Sequence, residues 1–309
     1  MRRPRRPGLW RRLGVPLALC LLTLTVNSTG AADLPTFNGG NAFADLTRIV
    51  AFGPRPSGSL ALIQTRAWII QQLQHEGLKV EEDKFVAATP VGTRDMANLI
   101  VKLPGARPQV ILVGGHYDTK LFTQFRFVGA NDGGSSAALL LELARVLKER
   151  RREFTIWIVF FDGEEARGEW SQNDSIYGSR HLVEKLAASG ELSRLRAMLL
   201  VDMIGDAHLN VQRDLNSTPW LSDLVFGTAR SLGYERYFAG RTGAEDDHLP
   251  FINAGVPAVD LIDFDYGPGN SYWHTSADTL DKCSATSLTI VGRVVTEVLS
   301  ELDKSPLLR

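Results

Sequence analysis

Cysteine is nearly missing from this 309-residue chain: Cys20 and Cys283 are the only two. No disulfide framework can be built from them, so stability has to come from a buried apolar core. Charge of one sign is missing as well, with 34 Lys+Arg against 35 Asp+Glu. Beyond residue 32 no basic stripe or basic amphipathic helix remains, which excludes nucleic acid and membrane surfaces as partners of that part of the chain. Internal repeats, low-complexity segments and interdomain linkers are absent too. The longest apolar run, Leu13–Val26, is short for crossing a bilayer. It follows a head carrying six arginines (positions 2, 3, 5, 6, 11 and 12) and precedes the small residues Gly30-Ala31-Ala32. That layout predicts a secretory leader over residues 1–32, a secreted or periplasmic destination, and a single folded domain over residues 33–309. Loss of the leader removes Cys20 and leaves 28 Lys+Arg against 35 Asp+Glu, a net charge near −7.

What is present reads as one large α/β unit. Helices are expected over Asn41–Ala51, Leu60–Gln74, Ser135–Arg151, Ser175–Ala188, Trp220–Leu232 and Thr286–Leu302. Strands are expected over Leu78–Phe85, Ala97–Lys102, Val110–Gly114, Thr155–Phe161, Met198–Val201 and Ala258–Ile262. Apolar strands alternating with amphipathic helices predict a three-layer α/β sandwich, with a mixed, mainly parallel central sheet and helices on both faces.

Several chemically capable residues fall where these strands end. His116 follows the run Val110–Val113, Glu164 and Glu165 follow Phe160-Phe161, and Asp202 closes Leu199-Leu200-Val201. Asp132 sits in Asn131-Asp132-Gly133-Gly134 at a helix start, and His274 lies in Trp273-His274-Thr275 near the C-terminus. Taken singly each has an ordinary explanation: a loop histidine, a helix cap, a solvated acidic pair. Together they are metal-ligand types gathered at the strand ends of one α/β domain, where loops from separate strands converge. Adjacent carboxylates suit metal-assisted acyl chemistry, because one can hold the ion while its neighbour moves protons.

These strings, with His116-Tyr117-Asp118, Gly129-Ala130-Asn131-Asp132, Asp162-Gly163-Glu164-Glu165 and Asp202-Met203-Ile204-Gly205, resemble the zinc-dependent aminopeptidase family. Within that family the chain is similar to the glutaminyl cyclases of the zinc type. The narrower likeness rests on Phe127–Ala130, Trp170–His181, Asp246–Phe251 and Trp273, and the whole covers roughly Asn41–Leu302. The resemblance implies one zinc per chain, held by Asp132, Glu165 and His274. It also implies Glu164 as the general acid/base and Asp246 and Asp202 as aspartates supporting it. Trp170 and Trp273 become pocket aromatics, and Asp260 stands in the pocket where animal cyclases have a histidine. The activity implied is conversion of N-terminal glutamine of peptides or proteins to pyroglutamate by a monomer. Asn131–Ser135 is closer to the aminopeptidases, and the cysteine pair of the secreted animal enzymes is missing; with Asp260 and the stretch Asp263–Tyr272 before Trp273, these departures resemble a bacterial exported cyclase. The alternative is a two-zinc aminopeptidase, in which His116 and Asp202 complete a second metal site, Asp132 bridges and Glu164 activates water. An inactive exported binding domain would have no need of an intact Glu164 and a full ligand set.

Overall fold

Segments such as Thr-Ile-Trp-Ile-Val-Phe-Phe at 155–161 are apolar without a break, as strands must be when both faces are covered. The computed structural model describes residues 36–305, together with 1, 2, 4 and 8, and realises that expectation. The leader expected over residues 1–32 lies, apart from those four positions, outside the described residues. The strands are β1 (Val80–Thr89), β2 (Gly92–Leu103), β3 (Arg107–His116), β4 (Phe154–Phe161), β5 (Leu195–Asp202), β6 (Val211–Asp214), β7 (Phe238–Thr242) and β8 (Ala258–Ile262). The helices are α1 (Gly39–Ala51), α2 (Leu60–His75), α3 (Ser136–Leu147), α4 (Tyr177–Ser189), α5 (Pro219–Ser231), α6 (His248–Asn253) and α7 (Ala285–Lys304).

All eight strands form one sheet in the order β1-β2-β4-β3-β5-β8-β6-β7. Its centre, β4-β3-β5-β8, is parallel; β2 is antiparallel to β4 and β1 to β2, while on the other side β6 is antiparallel to β8 and β7 runs parallel to β6. Successive side chains of β4 go to opposite faces. Ile156, Ile158 and Phe160 join a core with α1, α2, α3, α5 and α7, while Trp157, Val159 and Phe161 join a second core with α4 and α6. The three-layer α/β architecture with a mixed, mostly parallel sheet is thus present. Among the described residues no helix is long and apolar enough to cross a membrane, and Cys283 is a free, buried thiol.

The structure departs locally from the sequence reading. β1 and β2 run on to a tight turn, pairing from Val80↔Val101 to Thr89↔Gly92. α3 stops at Leu147 rather than Arg151, before the cationic stretch Arg150–Arg152 that leads into β4. α4 starts at Tyr177 rather than Ser175, because Ile176 has a φ of 44° and cannot continue a right-handed helix. Its amide instead donates to Glu164 O at 2.8 Å and that of Tyr177 to Gly163 O at 2.7 Å, fastening this loop to the acidic pair.

A candidate metal centre and its cavity

Because the central strands are parallel, their C-terminal ends share one edge of the sheet, and the loops leaving them meet there. His116 is the last residue of β3 and Asp202 the last of β5, while Glu164 and Glu165 follow β4 by a short turn. Asp132 comes from the kinked turn Ala130–Ser135, where it is extended (ψ 105°) before Gly133 at φ +77°. A side chain at Gly133 would place Cβ 2.4 Å from Asp118 O and 2.9 Å from the His116 ring, so only glycine lets this turn close over the histidine. His274 arrives from the loop after β8 with a φ of 54°, and Met203, next to Asp202, has a φ of 51°. Two non-glycine residues in the left-handed region at one site mark backbone held out of its preferred state by its surroundings.

Three buried groups fasten these loops. The Asp118 carboxylate accepts the amides of Glu164 (3.2 Å) and Glu165 (3.3 Å) and lies 3.4 Å from His116 Nδ1. Asp278 accepts the amides of Asn131 (2.8 Å) and Asp132 (3.2 Å) and the hydroxyl of Tyr266 (2.8 Å). Arg55, fully buried, donates to the carbonyls of Gly53, Tyr117, Val128 and Gly129. Burial lowers its pKa to about 10. Sequence reasoning paired Asp118 with His116 but did not single out Asp278 or Arg55. The signal for Asp278 is its place four residues past His274; Arg55 carries none, being one arginine in a Gly-Pro-Arg-Pro-Ser-Gly turn.

The ligand candidates converge in two groups that share Asp132. His274 Nε2 is 3.2 Å from Asp132 Oδ2 and 3.2 Å from Glu165 Oε1. His116 Nε2 is 3.2 Å from Asp132 Oδ1 and 3.1 Å from Asp202 Oδ1. Within each group the ligand atoms lie within 4.8 Å of one another. A single imidazole nitrogen donates at most one hydrogen bond, so two carboxylate oxygens around it are an arrangement that a cation completes better than a proton does. Asp132 Oδ2 and Glu165 Oε2 are moreover buried without an aligned hydrogen-bond donor. Donor type, convergence and unsatisfied oxygens all fit a divalent metal.

Electrostatics follows burial. Burial raises the pKa of Glu164 well above the usual carboxylate range, with Asp246, Glu165 and Asp247 adding to it and His116 opposing. Asp246 is pushed up likewise by burial and by the charges of Asp202 and Asp247. For Asp132 burial works upward, but hydrogen bonds to His116 and His274 outweigh it and hold its pKa below the usual range. Burial lowers that of His274, yet the charge of Glu165 and the bond to Asp132 bring it up to about 10.

A cavity of about 270 Å³ opens onto this centre, and Glu164, Asp202, Asp246, Trp170, Trp273 and Phe264 are among its walls. Trp273 stacks on His274 (4.1 Å between centroids, 18°), and Phe264 meets Trp273 edge-on at 4.9 Å. Trp170 Nε1 donates to Glu245 Oε2 at 3.0 Å. Glu245 and Phe264 are lining residues to which the sequence reading gives no role in the pocket. Asp260, expected in the pocket, does not line it. It sits within β8 two residues before Ile262, on the same face but deeper in the sheet, with both oxygens buried and lacking donors.

A sequence model described as peptidase family M28 matches residues 98–299. The chain is 30% identical over 277 residues to a glutaminyl-peptide cyclotransferase of Bos taurus, covering 78% of this chain and 76% of that one. Its structure is similar to the crystal structure of an Acidobacteriales bacterium glutaminyl cyclase, with a TM-score of 0.84 and 43% identity over 87% of this chain and 96% of that one. It is also similar to a Zn-dependent exopeptidase from Parabacteroides distasonis, with a TM-score of 0.77 and 26% identity over 86% of this chain and 99% of that one.

Proposed function

The chain belongs to peptidase family M28, and we propose that within it the protein is a zinc-dependent glutaminyl-peptide cyclotransferase, exported by a leader at residues 1–32. It acts as a monomer on peptides or proteins that begin with glutamine, forming pyroglutamate and releasing ammonia. One observation carries this reading. Glu164 stands outside the Asp132–Glu165–His274 group, yet lines the same tryptophan-walled cavity and has a pKa raised by burial.

A zinc ion held by Asp132, Glu165 and His274 supplies a Lewis acid for the γ-carboxamide of the bound glutamine. Glu164 takes a proton from the α-amine as that nitrogen attacks the carboxamide carbon (Cδ), and gives a proton to the departing amide nitrogen, which leaves as ammonia. One C–N bond forms, one breaks, and Glu164 ends as it began. A raised pKa suits a group that must both accept and return a proton near neutral pH. Asp246 and Asp202 act on Glu164 rather than on substrate: the charge of Asp246 raises its proton affinity, and that of Asp202 in turn raises the affinity of Asp246. Trp170 and Trp273 fold the glutamine side chain back on its own amine and keep out water, which would give glutamate instead.

The second reading is a two-metal aminopeptidase, and the group His116–Asp132–Asp202 favours it. His116 bears on the choice. Burial lowers its pKa, but bonds to Asp118, Asp132 and Asp202 raise it well above the usual value. The space between Asp132 and Asp202 calls for a positive charge, which either a protonated His116 or a second metal would supply. Mass spectrometry of a glutamine-initiated peptide after incubation decides the matter. Loss of ammonia supports the cyclase, whereas loss of a whole residue supports the peptidase.

A further inference from the structure

Glu245 is the exposed acid of the cavity wall. The others (Asp132, Glu164, Glu165, Asp202 and Asp246) are all buried, and no lysine or arginine lines the space. Its position is built rather than incidental. The preceding residue, Ala244, donates its amide to Asp214 Oδ1 at 2.9 Å and accepts from Asn216 Nδ2 at 2.7 Å, fixing the backbone of the loop. The Glu245 side chain then accepts the Trp170 indole N–H, closing a clasp between two loops at the mouth. One carboxylate oxygen is used in that bond, and among the described residues no cationic side chain lies in ion-pair distance of Glu245. A full negative charge therefore stands unneutralised at the rim, beside one of the tryptophan walls.

A glutamine whose side chain and amine both reach Glu164 must leave the cavity by its carboxyl side, so the residues that follow it pass this rim. Building on the cyclase reading, we propose that Glu245 is a specificity-determining residue that selects substrates by charge just after the N-terminal glutamine. A basic residue there is favoured and an acidic one disfavoured. At solvent-exposed distances one such charge contributes a small effect in each direction, so the spread between a lysine and a glutamate substrate is on the order of tenfold and shrinks with salt.

The experiment compares kcat/KM for three peptides identical except for Lys, Ala or Glu after the N-terminal Gln, at low and high salt. The wild-type enzyme is expected to rank them Lys, Ala, Glu, with the Lys/Glu ratio falling as salt rises. E245Q removes the charge but keeps an oxygen for the Trp170 N–H, and it should bring the ratio close to one. E245A should do the same and in addition alter Trp170 fluorescence, which E245Q should leave as it is. A ratio near one in the wild type, or a ratio that survives in E245Q, overturns the proposal. Absence of ammonia release from all three peptides looks different and removes the cyclase reading along with it.

Discussion

Asp278 accepts the backbone N–H of Asp132 at 3.2 Å, joining the loop that carries His274 to the turn that carries the shared carboxylate. Burial, then the charge of Asp132, raises the pKa of Asp278 to about 7, while the amides of Asn131 and Asp132 and the Tyr266 hydroxyl oppose. Asp278→Asn keeps the shape but turns an N–H₂ toward one of those donors. We expect this change to weaken zinc binding by roughly 10–100-fold, as loss of a group that orients metal ligands does. Chelator competition measures it, alongside a thermal melt of the metal-free protein to show that the fold remains. Unchanged affinity would reduce Asp278 to a turn residue.

The site was legible in the sequence where strand exits coincide with ligand chemistry. His116, Glu164, Glu165 and Asp202 follow unbroken apolar runs, and a mainly parallel sheet brings the ends of those runs to one edge. The groups that hold the loops were not legible, because their partners are remote. Arg55 bonds to carbonyls as far as 74 residues along the chain, and Asp278 to amides 146 and 147 residues away. Short strands escaped for a related reason: β6, Val-Gln-Arg-Asp, offers only four residues, and pairing with β7 and β8 makes it a strand. Asp260 was placed in the pocket by likeness of position, whereas its depth in β8 depends on register with β5 (Leu200↔Asp260, Asp202↔Ile262).

Glu164→Gln preserves volume and removes the proton shuttle. Turnover should fall by roughly 10²–10⁴-fold while zinc content, read by elemental analysis, stays at the wild-type level. Loss of zinc in this variant would mean that the two glutamates exchange roles.

Removing Asp246 should act through pH. Burial, together with the negative charge of Asp246, raises the proton affinity of Glu164, and Glu164 must be deprotonated to accept the amine proton. Glu164 and Asp246 are two close carboxyl groups that resist double ionisation; Asp246→Asn leaves burial in place and removes that coupling, so the acidic limb of the pH–kcat profile should move to lower pH. The maximal rate should fall as well, because Glu164 then returns a proton under weaker control. A limb that stays in place, or moves upward, would separate Asp246 from the proton transfer.

Metal content distinguishes the two enzymes most directly. The protein saturated with zinc and passed through a desalting column should retain one ion per chain, and a strong chelator should abolish cyclisation. His116→Ala should leave that ion bound, since His116 belongs to the other group. Retention of two ions by the wild type, one of them lost in His116→Ala, would establish the two-metal reading.

Asp260 offers a test that involves no catalysis. Burial, then the charges of Asp246, Asp202, Asp214 and Asp247, raises its pKa well above that of an ordinary aspartate. The folded protein therefore keeps Asp260 protonated at pH values where the unfolded chain has released that proton. Below the unfolded pKa, about 3.9, both states hold the proton and its titration costs nothing. Above it the unfolded state gains by ionising, so this residue's contribution to stability declines by up to about 1.4 kcal/mol per pH unit until the folded pKa is reached. Asp260→Asn has no such proton to release. Its stability relative to wild type, from urea unfolding of the metal-free proteins, should improve as the pH rises above the unfolded pKa. Parallel wild-type and variant curves above that pKa would mean that Asp260 is ionised inside the fold, with a cation beside it.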